Sequence, residues 1–125
     1  MRKFAWVSVV LGCMFFAYSC TKDKTPPPAN TTCTSVDSVA NTYNLRIKAI
    51  LDVNCATVAC HDAVFYNSGV ILDNYTNSKA AFESKPSLCA IKQEGGCLPM
   101  PQGADKLADS LITYIQCWAE NGYPE

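Results

Sequence analysis

Apolar positions along the chain fall into a few separated groups. Phe4 to Phe16 is almost wholly apolar behind Arg2 and Lys3, and small residues follow at Ala17 and Ser19 ahead of Cys20. A charged start, a short apolar stretch and small residues before a break form the layout of a secretory signal peptide, and the run is too short for a comfortable bilayer span. From Tyr43 to Val53 the pattern predicts a helix, with Tyr43, Ile47, Ile50 and Leu51 on one face. Val70, Ile71 and Leu72 make a brief apolar run, Asn74, Asn77 and Ser78 suggest turns, and Lys79 to Glu83 reads as one helical turn that Pro86 ends. The clearest helix is the last: Leu107, Leu111, Tyr114, Ile115 and Trp118 recur at helical spacing, Asp109 caps it or sits in its first turn, and Asn121-Gly122 stops it. No strand alternation of any length and no internal repeat is present, so the expected fold is all-α, a few helices joined by long loops.

Residues 1–19 are thus expected to be removed as a signal peptide, 20–36 to form a tether and 37–125 to form one domain. Tyr18-Ser19-Cys20 resembles the loose lipoprotein signals of some bacteria, in which the cysteine becomes the lipidated first residue; Ala17 stands where the stricter pattern has Leu. The plain alternative is ordinary cleavage nearby with Cys20 unmodified or removed. Pro26-Pro27-Pro28 among small polar residues reads as a stiff, extended spacer. Anchoring by an N-terminal lipid in the cell envelope, facing the periplasm or the outside, follows from this reading.

From Cys20 onward the chain has eight basic and eleven acidic residues, a net charge of −3. That balance offers no basic cluster for nucleic acid. Beyond Cys13 and Cys20, six cysteines remain: Cys33, Cys55, Cys60, Cys89, Cys97 and Cys117. Export permits disulfides, and a small domain with a modest core gains from covalent staples or a cofactor.

The segment Cys55-Ala56-Thr57-Val58-Ala59-Cys60-His61 carries the chemistry. Covalent haem attachment needs two thiols that add to the two vinyl groups of one porphyrin, and an imidazole beside the second thiol that swings onto the iron. The usual spacing is C-x-x-C-H; here two more residues lie between the cysteines, and they can bulge outward while the sulfurs keep their separation. The competing reading is a Cys55–Cys60 disulfide with His61 on the surface. With the signal peptide gone, His61 is the sole histidine and Met100 the sole methionine, and His/Met is a common axial pair that raises a haem's reduction potential. Met100 lies 39 residues after His61, between Pro99 and Pro101, and two fixed φ angles would present its thioether from a stiff loop. The competing reading there is a gap-filling core methionine.

Taken in order, these pieces resemble the small c-type cytochrome domains of bacterial lipoproteins. The resemblance runs from Ile47 to Glu125: the helix Ile47–Leu51 before the attachment cysteines, Gly69–Tyr75 after them, the Leu98-Pro99-Met100-Pro101 loop, and the closing helix from Lys106 through Trp118 to Gly122-Tyr123-Pro124. It implies a cytochrome c-like fold with the first and last helices crossing, one haem c held by Cys55, Cys60, His61 and Met100, and service as a monomeric electron carrier, not an enzyme, to an unidentified redox protein.

A haem needs apolar walls, for which Leu51, Phe65, Leu72, Tyr75, Leu98, Leu111, Ile115 and Trp118 are candidates, with plain core the favoured reading of each because any amphipathic helix supplies such residues; Trp118 is expected to pack on the first helix. The other four cysteines permit three pairings. Cys89–Cys97 with Cys33–Cys117 is preferred because it leaves Cys55 and Cys60 for haem. A haem-free, disulfide-stapled surface lipoprotein that binds a protein or glycan is the alternative function. Zinc at Cys55, Cys60, His61 and another cysteine lacks the distant second ligand pair of structural zinc sites and would need free thiolates in an oxidising compartment, a thiol oxidoreductase lacks C-x-x-C, and a hydrolase would rest on His61 with no partner at a telling spacing.

Overall fold

The structure, a computed structural model, describes residues 31–125. The expected signal peptide, the lipidation cysteine Cys20 and the Pro26-Pro27-Pro28 spacer lie outside the described residues. Among the described residues there are four α-helices: α1 (Lys48–Asn54), α2 (Tyr75–Ser84), α3 (Ser87–Lys92) and α4 (Asp109–Glu120). Among the described residues there is no strand, and no helix is long and apolar enough to cross a membrane.

The first helical segment starts one turn before α1. Thr42 is extended and its hydroxyl accepts from Leu45 N–H, which caps the start. Tyr43–Ile47 then winds as a π-helical turn, in which Ile47 N–H donates to Thr42 C=O at 3.1 Å. Tyr43, Ile47, Ile50 and Leu51 are all buried, the face that the sequence predicts. α4 begins at Asp109, which sits in the positive first turn and does not cap it; Ala108 precedes it without a side-chain cap. Its Ile112, Ile115, Cys117 and Trp118 are buried, and Gly122 at φ +81° supplies the left-handed stop.

The middle of the chain is more helical than its pattern suggests. Asn74 does not make a turn; its side chain accepts from Asn77 N–H and caps a ten-residue helix, α2. Lys85 then turns extended ahead of Pro86, and Pro86 opens α3, which the sequence reading did not foresee.

An aromatic cluster joins these elements. Trp118, without solvent exposure, lies 6.0 Å from Tyr43, 5.9 Å from Phe82 and 4.9 Å from Tyr123, ring centre to ring centre. The tail closes on it: Trp118 Nε1–H donates to Pro124 C=O at 2.9 Å, Tyr75 O–H to Tyr123 C=O at 2.8 Å, and Tyr43 N–H to Pro124 C=O at 2.9 Å. The last bond occupies one of the donors that a helix start leaves open. At the other end, a 3₁₀ turn at Thr31–Ser35 is bound to α4 through Cys33–Cys117, so the chain from Cys33 onward is fixed to the helical body.

Candidate functional site

Cys55 ends α1, where its N–H donates to Leu51 C=O at 2.8 Å. It is buried within the apolar core that also holds Leu51, Leu72 and Ile115. Burial pushes its thiol up to about 11, and the neighbouring Cys60 adds to that. Cys60 is exposed, and both thiols are free.

Between them, Ala56–Ala59 folds into a loop. Cys60 N–H donates to Thr57 C=O at 3.0 Å, and Ala59 takes a left-handed φ of +67°. The loop returns on itself: His61 N–H donates to Cys55 C=O at 3.1 Å. The residue after the second cysteine therefore stands beside the first cysteine's backbone, and the two additional residues are taken up between them. Asn67 holds the outer side, its Nδ2–H₂ donating to Ala59 C=O at 2.7 Å and its N–H to Cys60 C=O at 3.1 Å.

His61 is half-buried. Its C=O accepts from Leu72 N–H at 2.8 Å, and its Nδ1 lies 3.3 Å from Val70 C=O. In the tautomer with the proton on Nδ1, the ring donates to Val70 and Nε2 keeps its lone pair for a metal. The short apolar run of the sequence thus serves as a backbone rest for the histidine, with only Leu72 of the three fully buried.

Met100 is half-buried and packs against the same core as Cys55, together with Ala56 and Val70. Its N–H donates to Ala90 C=O at 3.0 Å, and its C=O accepts from Gln93 Nε2 at 3.3 Å. The ligand-candidate loop is thereby tied to α3. A second tie lies just before it: Cys89 in α3 is bonded to Cys97, with Cα atoms 5.9 Å apart. Cys33 is bonded to Cys117, Cα to Cα 5.3 Å.

The wall candidates divide. Leu51, Leu72, Ile115 and Trp118 are buried against other protein side chains, and Tyr75 and Leu111 are half-buried beside them. Phe65 and Leu98 are not covered: they are 49% and 59% exposed. They have company that the sequence reading missed. Val53, Val58, Val64 and Tyr66 are all more than half exposed; Val58 lies within Cys55–His61, Val53 just before it and Val64, Phe65 and Tyr66 just after it in sequence, as Leu98 lies just before Met100. No periodicity in the sequence marked them.

One exposed free thiol at Cys60, a second at Cys55 that lies in the core, an imidazole with one nitrogen backed by a carbonyl, and uncovered apolar side chains nearby in sequence are groups that a large apolar disc with reactive edge groups could use. Among the described residues no three His, Cys, Asp or Glu side chains gather to hold a metal ion directly; thioether attachment makes no such demand, because the sulfurs bond to the edge of a ring and not to its metal. No family model, curated protein or solved structure matches the chain. What fold and site define is a small all-α domain with two disulfides and a free Cys–Cys–His segment.

Proposed function

We propose that the chain is an exported, lipid-anchored electron carrier, a single-haem c-type cytochrome domain with haem attached through Cys55 and Cys60 and iron ligated by His61 and Met100. The observation that carries the reading is the distribution of the cysteines. Of the six from Cys33 onward, four pair with one another, and the two left as thiols are those that lead into the sole histidine.

Haem, when bound, supplies a one-electron iron couple. The chain's own residues do the rest. Cys55 and Cys60 fix the group in place, and Val70 orients the His61 ring. Ala90 and the Cys89–Cys97 bridge hold the Met100 loop, so that a soft thioether is held ready as the second ligand. Phe65 and Leu98 are available to exclude water. Cys20 carries the lipid, and the proline-rich spacer sets the domain off the membrane.

The alternative, a haem-free stapled lipoprotein, draws on the burial of Cys55, which would then be an inert core thiol. Protein exported by a host with a haem-attachment system separates the two. The electron carrier gives a pyridine haemochrome spectrum and a haem that survives acid–organic extraction; the stapled lipoprotein is colourless.

A further inference from the structure

We infer that Asn67 is the positioning residue that lets the long Cys55–Cys60 spacing serve covalent attachment, by clamping the exposed Thr57–Ala59 part of the loop outward. This rests on the haem reading above.

The loop contains a conformation that an alanine resists. At φ +67° the Cβ of Ala59 crowds its own backbone. Asn67 holds it there with two bonds to successive carbonyls, its carboxamide to Ala59 and its N–H to Cys60. Asn67 is itself delivered by a tightly turned loop. Asp62 Oδ1 accepts from Val64 N–H and Phe65 N–H at 2.9 and 2.7 Å, its C=O accepts from Tyr66 N–H at 2.9 Å, and Tyr66 and Ser68 on either side of Asn67 both have positive φ. The clamp acts on the two residues just before His61, and His61 N–H closes on Cys55 C=O. Additional residues are pushed out while the ends are drawn in.

In the attachment step each thiol adds sulfur to one carbon of a vinyl group and hydrogen to the other. Nothing leaves and no oxidant is consumed, so geometry is the main demand. A loosened loop would let Cys60 drift from its station. It would also free the two thiols to find each other.

Asn67→Asp removes the Nδ2 donor at nearly constant size, and Ala59→Gly removes the cost of the left-handed residue. Two readouts apply. In haem-free protein with its disulfides intact, oxidised glutathione converts the Cys55 and Cys60 thiols to a bridge and is itself reduced to two thiols; the rate is followed by mass. In haem-loaded protein, alkylation counts chains that keep a free thiol, and the pyridine haemochrome α band moves with the number of vinyl groups consumed. Asn67→Asp is expected to raise both the bridging rate and the single-thioether share by roughly two- to tenfold, the span of one net hydrogen bond. Adding Ala59→Gly returns both toward the parent. Thr113→Ala, which removes a 2.8 Å hydroxyl bond in α4, leaves both unchanged. Equal bridging rates and equal thioether counts in parent and Asn67→Asp overturn the inference. A colourless parent overturns the haem reading instead, and the bridging rate then still decides whether Asn67 holds the loop.

Discussion

The Nδ1 atom of His61 lies 3.3 Å from the carbonyl oxygen of Val70, nine residues further along the chain. A side-chain change at Val70 keeps that carbonyl, so the ring itself must be altered to test the contact's purpose. His61→Ala is expected to leave the helical body folded, because a half-buried ring is lost from its edge, and to abolish the low-spin absorption spectrum of protein from a haem-attaching host. An unaltered low-spin spectrum would exclude His61 as an axial ligand.

Met100, like His61, is held by its backbone, in its case against α3. Met100→Ala should lower the reduction potential and open the iron to small ligands, because the thioether is the ligand that raises the potential. Redox titration with carbon monoxide binding checks this. A potential equal to the parent's, with no carbon monoxide complex, would reject Met100.

The two disulfides should contribute unequally. In the chain-entropy picture, Cys89–Cys97 closes a short loop worth about 2–3 kcal/mol and Cys33–Cys117 a long one worth about 4–5 kcal/mol; their sequence separations are 8 and 84. Paired Cys→Ser variants compared by urea unfolding should keep that order. The short bridge sits beside Met100, so its loss should also weaken Met100 ligation, whereas loss of the long one should not.

Burial pushes the Cys55 thiol up to about 11 from an ordinary 9.0. As pH rises, the unfolded chain therefore releases this proton first. The contribution to stability is full below about pH 9, is lost between 9 and 11, and amounts to about 3 kcal/mol. The phenols of Tyr43 and Tyr123 are also pushed up, chiefly by burial, and add alkaline destabilisation in the same direction. Urea unfolding of haem-free protein with disulfides intact, against Cys55→Ala, isolates the thiol: the parent should lose more stability over that range. Parallel curves would contradict a buried Cys55 thiol.

How far the fold could be read depended on whether one face of an element was apolar. α4 and the first helix were legible because Ile115 and Trp118, and Tyr43, Ile47 and Leu51, recur at helical spacing and are buried without remainder. α2 was not, since its buried residues are Ser78, Ala81 and Phe82, of which only one is large and apolar. α3 is six residues long and follows Pro86, too short for a period to register. The site was legible in its reactive residues, which stand in one motif and one loop. Its support was not. Asn67 reaches back eight residues to a carbonyl, and Val70 acts through its backbone; neither contact leaves a mark in side-chain pattern. The uncovered Val58, Val64 and Tyr66 look like any apolar residues until their exposure is known.

The haem-attachment claim is tested most directly by peptide mapping of protein exported from a host that matures c-type cytochromes. The expected map shows one haem carried by the peptide spanning Cys55 to His61, linked to both cysteines, with Cys33–Cys117 and Cys89–Cys97 intact. A folded, colourless product whose map shows Cys55 bonded to Cys60 would contradict it.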